Sequence, residues 1–196
     1  GKDRIRYIGE IVAGLGILFI GMDMMGEAMQ PLCDSPVFLQ AMTKFEHPLL
    51  GILAGAAFTA AIQSSSASVG ILQTLAQGGA VSFAGAVYVL FGIGTCITAV
   101  LAAIGTGRNA KRTTIIHLSF NLIGTVVFTV LCMTTPLVSL VAQLTPGRPA
   151  AQIANMHTIF NIGTTLLLLP AGNLLAGMAE HLLPDKKSES LAAEQR

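Results

Sequence analysis

Of the 196 residues, 53% are hydrophobic and only 11% charged, with a formal net charge of +1 and a mean hydropathy of +0.70. A soluble domain carries roughly 25% charged residues. The composition therefore excludes a water-coated globule, and with it a disordered chain, a disulfide scaffold and any basic face that would hold nucleic acid. No charged residue falls within 49–107, 113–147 or 149–179. Each stretch exceeds the roughly 20 residues that a membrane-crossing helix needs, so the chain reads as an all-α integral membrane protein.

In chain order, Lys2, Arg4 and Arg6 precede an apolar run from Ile11 to Ile20, which superficially fits a signal peptide. Asp23 and Glu27 follow, however, and no small-x-small cleavage site occurs before Pro31. The expectation is an internal piece of a longer protein that opens with a true span over Tyr7–Met29. Gly9, Gly14, Gly16 and Gly21 punctuate that span, as suits close helix approach in lipid. A weakly charged loop, 30–48, leads into the long uncharged block, which breaks at Gln63-Ser64-Ser65-Ser66 and at Gln77-Gly78-Gly79. Val81–Ile104 is apolar but interrupted at Gly92-Ile93-Gly94-Thr95. After the basic loop of Arg108, Lys111 and Arg112 come spans over Thr113–Met133 and within Ala150–Leu183. Residues 1–184 thus form the membrane unit, and 185–196, with Lys186 and Lys187, a polar tail.

Cytoplasmic loops are enriched in Lys and Arg, so 2–6, 108–112 and 186–187 are expected in the cytoplasm, with both termini there, and 30–48 and 134–149 outside. An odd number of crossings must then separate residue 48 from residue 108, yet the apolar residues suffice for about two. A re-entrant hairpin resolves the parity. Leu49–Ala76 fits it best: Leu49–Ile62 is too short to span, Gln63–Ser66 forms the tip and Ala67–Ala76 the return arm. The other broken segment, Val81–Ile104, remains an alternative, as does a plain helix that happens to contain serines. The prediction is about four transmembrane helices plus one helical hairpin.

Non-helical backbone at membrane depth is tolerated only inside protein or beside a wet cavity, so the tip marks a polar site. Gln63, Ser64, Ser65 and Ser66 gather a carboxamide and three hydroxyls, with Ser68 close behind. A half-helix starting there would aim unpaired N–H groups at an anion, while hydroxyls and freed carbonyls suit a small hard cation. Thr95 and Thr98, at i and i+3 beyond the second break, would share one helix face; a glycine-softened helix with self-bonded threonines is the plainer reading. A repeated pattern, His117-x-x-Phe120-Asn121 and His157-x-x-Phe160-Asn161, is followed in both copies by Ile-Gly-Thr. His and Asn at i and i+4 share a face, as a polar relay or, more ordinarily, as interhelical glue. Asp23 and Glu27 read as solvated helix-end carboxylates rather than a cation site, the nearby methionines as packing, and Cys96 and Cys132, in apolar stretches, as small buried thiols. No catalytic triad, nucleotide loop or metal cluster stands out, so nothing argues for an enzyme or a cofactor.

These motifs, in this order, resemble the sodium-dependent phosphate cotransporters of the type II family, bacterial type. The likeness runs through Gly14–Met25, Phe58–Ser68, Ile93–Ala102, Arg108–Gly124 and His157–Leu169. Such transporters contain two inverted halves, each with a Gln-Ser-Ser-Ser hairpin, and bacterial members often continue into a cytoplasmic PhoU-like domain. The resemblance implies one half of an inverted-repeat transporter, completed by a second repeat in a longer chain or a homodimer partner. It implies sodium:phosphate symport across the cytoplasmic membrane, with Gln63, Ser64, Ser65 and Ser66 lining the substrate site. Sodium, the coupling ion, would engage Gln63, Ser65, Thr95 and Thr98, while Ser68, Asn121, Asn161, His117 and His157 give polar support. The PhoU-like part would begin in the tail. One departure stands out: the family usually places an Asn just before its Ile-Gly-Thr, often as Gly-Gln-Asn, whereas Gly92 here abuts Ile93, shortening the loop by two residues. The rival reading is a phosphate-sensing or scaffold subunit that does not transport.

Overall fold

The computed structural model describes residues 2–94 and 97–184, and the side chains of all of these but Lys2, Ile97 and Thr98. Thr95, Cys96 and the tail with Lys186 and Lys187 therefore lie outside the described residues, as does the side chain of Thr98. The expected PhoU-like start falls in that tail.

Ten α-helices and two short 3-10 turns make up the described chain, with no strand among the described residues. Helix α1 (Lys2–Cys33) is the first span and extends beyond the predicted one at both ends. The loop after it holds α2 (Pro36–Thr43), opened by a Ser35 cap and Pro36, which pre-sets the first helical φ. Helices α3 (Pro48–Ile62) and α4 (Ser65–Gln77) follow, then α5 (Phe83–Ile93) and α6 (Ile97–Ala102). Helix α7 (Arg108–Thr134) is the clean span, α8 (Leu137–Leu144) occupies the next loop, and α9 (Pro149–Leu168) runs through a 3-10 turn into α10 (Gly172–Leu182).

Contacts between helix ends fix the topology. An added Cβ at Gly78, just after α4, would meet the Cys33 sulfur at the end of α1. Ser82, which caps α5, donates to Glu46 just before α3 at 2.7 Å. Gln73 of α4 donates to the carbonyl of Ala150 at the start of α9. The ends of α1 and α4 and the starts of α3, α5 and α9 thus share one side of the protein. At the other side, Arg112 donates through Nε and Nη2 to the carbonyl of Leu183 at 2.9 and 2.7 Å, and Arg108 donates to that of Pro184. Helix α3 enters from the first side and α4 returns to it, so the pair is the re-entrant hairpin over 49–76 expected from sequence. Fifteen residues give α3 about 22 Å, short of the roughly 30 Å hydrocarbon core. The chain passes to the opposite side between Phe83 and Arg108, through α5 and α6.

By length and composition, three helical runs can cross a membrane: α1, α7 and the run from α9 to α10. A fourth arises if α2 with its following 3-10 turn is joined to α3, although those pieces bend by 118°. The protein is accordingly an all-α, multi-pass membrane protein. Its core centres on α5, where Ala86, Val87 and Phe91 are fully buried. Phe91 stacks on Phe160 with centroids 5.0 Å apart, and Phe128 meets both rings edge-on. Helix α1 lies at the opposite extreme, since none of its apolar window is buried within the chain.

Small residues set the helix crossings. A Cβ on Gly55 would run into the Val89 carbonyl oxygen, and one on Gly92 into that of Ile52. Backbone therefore touches backbone where α3 meets α5, a contact only glycine permits in lipid. At the α7–α9 crossing the glycines of the repeated Ile-Gly-Thr pieces instead admit side chains of the facing helix. A Cβ on Gly124 would sit 2.6 Å from Thr164, and one on Gly163 equally close to Phe128.

Candidate functional site

The hairpin turns over two residues. Helix α3 ends where Gln63 adopts φ 58°, ψ 23°, and its N–H donates to the Thr59 carbonyl at 2.7 Å. Among the described residues Gln63 is the one non-glycine with positive φ. A side chain costs about 1–2 kcal/mol in this left-handed region, where glycine is nearly free. A carboxamide kept there against that cost is the kind of local strain that gathers at functional sites. Ser64 then extends to φ −142° and caps α4, its Oγ accepting from the Ala67 N–H at 3.3 Å.

The four serines divide by role. Ser68 is fully buried, and its hydroxyl donates to the Ser64 carbonyl at 2.9 Å, fastening the turn from inside. Ser64 is consumed by the cap. Ser65 and Ser66 occupy the first two helical positions, exposed, with backbone N–H groups that have no acceptor among the described residues. An α-helix leaves its first N–H groups unpaired and adds the positive end of its dipole. Both serines line a cavity of about 550 Å3. It lies about 18 Å along α4 from the Gln77 end, taking 1.5 Å per residue.

Four elements build this cavity. Helix α4 contributes Ser65, Ser66, Val69, Gly70 and Gln73; α1 contributes Leu18, Gly21, Met22 and Met25; α5 and its cap contribute Ile93 and Gly94; α9 contributes His157. Gln63, Asn121, Asn161 and His117 are not among its lining residues, and neither are Ser64 and Ser68. In both copies of the repeated motif the Asn donates to the carbonyl of its own His, at 3.0 Å for Asn121 and 2.8 Å for Asn161. Those amides therefore hold their own helices. Sequence reasoning passed over Gln73 and read Met22 and Met25 as packing alone. A signal for Gln73 was present, since Ser65, Val69 and Gln73 recur at i, i+4 and i+8 on one helix face.

Asp23 and Glu27 are exposed, as expected of solvated carboxylates. They line a second cavity, of about 650 Å3, between α1 and α4, shared with Gln30, Thr74 and Gln77. Among the described residues no group of three or more His, Cys, Asp or Glu could hold a metal.

The re-entrant hairpin thus brings serines and a helix N-terminus to a cavity between α1, α4, α5 and α9. The family described as Na+/Pi-cotransporter matches residues 34–154, and the chain belongs to that family. It is similar to the uncharacterized protein YqeW of Bacillus subtilis, with 35% identity over 95% of this chain and 61% of the relative. It is also similar to two proteins named "Putative inorganic phosphate export protein YjbB". The one from Salmonella typhimurium is 25% identical and the one from Escherichia coli K12 26% identical, each over 94% of this chain and 34% of the relative. The chain thus spans about three fifths of the Bacillus relative and a third of the YjbB proteins. No solved structure matches it.

Proposed function

We propose that the chain forms one half of a sodium-coupled phosphate transporter of the cytoplasmic membrane. The observation that carries this reading is the cavity beneath the hairpin tip, which Ser65 and Ser66, the first residues of α4, line together with no Lys or Arg. Burying an unpaired anion is very costly. A helix N-terminus offsets part of that cost, and sodium held by Gln63 and Ser65, with Thr95 and Thr98, would supply the rest. Anion and cation would then bind together, which is the thermodynamic basis of coupling. Both roles draw on the same tip, where backbone carbonyls freed by the break are available to a hard cation.

A complete site requires a second repeat, from the same longer chain or a second copy. Gln63, Ser65, Ser66, His157 and Asn161 are exposed although they lie within the membrane unit, and polar groups at that depth usually face protein or a wet cavity. A PhoU-like extension from the tail fits the same reading. The names of the YjbB relatives favour net export as the working direction. Flux direction follows the imposed gradients, so one assay addresses both. Labelled phosphate is followed in proteoliposomes under a sodium gradient of either orientation, with potassium as control, for this chain and for the full-length protein. Sodium-dependent flux is expected from the full-length protein. Saturable phosphate binding with no flux would replace the transporter by a phosphate-sensing subunit.

A further inference from the structure

We propose that His157 is the proton-sensitive contact of this cavity, so that protonating its imidazole tightens oxyanion binding; the inference rests on the anion reading above. Helix α9 brings His157 to the cavity that Ser65 and Ser66 line, 91 residues away from Ser66 in sequence. The His157 carbonyl is taken by Asn161 at 2.8 Å, which fixes the main chain. The imidazole itself makes no hydrogen bond among the described residues, whereas the other long polar side chain of the lining, Gln73, is already committed to the Ala150 carbonyl at 3.2 Å.

His157 is also the one titratable group in the lining. Helix α4, which packs on α9, carries no ionisable residue, and neither do α8 and the 3-10 turn after α9. Helix α5 carries Tyr88, directed at Phe91, and α7 carries His117, Cys132 and the basic turn Arg108–Arg112. On α1, Asp23 and Glu27 face the neighbouring cavity. None of these lines the space beneath the tip, so its fixed positive potential comes from the α4 N-terminus and its variable part from His157. Neutral imidazole offers one N–H; imidazolium offers two and a full charge. Charge-assisted bonds are roughly twice as strong as neutral ones, and an oxyanion bound beside the ring favours its charged form.

Phosphate itself gains negative charge as pH rises, so the comparison that isolates His157 is the ratio of dissociation constants, His157→Gln over wild type, at each pH. Inorganic phosphate binding is measured on the full-length chain in nanodiscs at fixed sodium, at pH 6 and pH 8.5. The expected ratio is about tenfold at pH 6, the effect of one charge-assisted hydrogen bond, and close to one at pH 8.5. A ratio that is the same at both pH values overturns the inference. Ser66→Ala, run alongside, separates the two levels. If it weakens binding while the His157→Gln ratio stays flat, the anion site stands and the proton contact falls. If neither variant changes binding, or the wild type binds no phosphate, both fall. His157→Asn serves as the second variant should His157→Gln lower the amount of folded protein.

Discussion

Replacing Gly92 by alanine tests whether the hairpin is held in place by direct backbone contact with α5. The new methyl would collide with the Ile52 carbonyl oxygen, with the carbonyl carbon at 2.8 Å and the Cα at 2.9 Å. These are backbone atoms within a helix, so no rotamer change relieves the clash, and α3 and α5 must separate. Overpacking costs about 1–3 kcal/mol, and a backbone obstacle places this site at the upper end. Alanine returns about 1 kcal/mol of helix propensity over glycine, leaving a net loss of about 2 kcal/mol. For a chain of this size, each kcal/mol shifts Tm by about 2–4 °C, so a fall of about 4–8 °C is expected. Gly177→Ala, in α10 with nothing within 4 Å of the added Cβ, is the matched control and is expected to hold or raise Tm. The assay is thermal unfolding of purified protein in detergent, followed by size-exclusion recovery. If Gly92→Ala is as stable as the wild type, or Gly177→Ala loses as much, the close α3–α5 contact is not what secures the hairpin.

Three other outcomes follow from the same geometry. Ser68→Ala removes the hydroxyl that fastens the Ser64 carbonyl; it should cost about 1 kcal/mol of stability, whereas Ser66→Ala should weaken phosphate binding with Tm unchanged. Equal effects of the two on Tm would contradict the division between structural and site-facing serines. Arg112→Gln removes the guanidinium that binds the Leu183 carbonyl twice, and faster proteolysis after α10 is expected, read by limited digestion and mass spectrometry. Phe160→Ala takes out the ring shared by Phe91 and Phe128, a loss of about 3–5 kcal/mol. Because Phe160 lies one turn from His157, phosphate binding should weaken too, and an unchanged affinity would show that the aromatic cluster does not position the site.

Much of the architecture was legible along the chain because it follows from local chemistry. Charge-free stretches longer than a bilayer is thick must be membrane-embedded, and Arg108–Arg112 had to sit opposite the loop before Pro48. A polar run far from either end of a span pointed to a turn at depth, with a plain serine-containing helix as the alternative. These arguments located the Gln63–Ser66 tip to within a residue or two of where α3 ends and α4 begins. The helices within the loops, α2 and α8, escaped because each is only eight residues long, too short for helical periodicity to be told from a loop.

Which side chains meet was decided by tertiary structure alone. A residue's direction turns by about 100° per position along a helix, so Ser64, Ser65, Ser66 and Ser68 cannot share a task, and only packing against α1, α5 and α9 determines which two line the cavity. The same packing brings His157 to that cavity, gives Asn121 and Asn161 to their own backbones, and draws Asp23 and Glu27 into a groove against α4. Sequence set the membrane, the break and the kind of chemistry available. The glycine contacts between α3 and α5 and between α7 and α9 set the register of the helices, and the register selects the residues of the site.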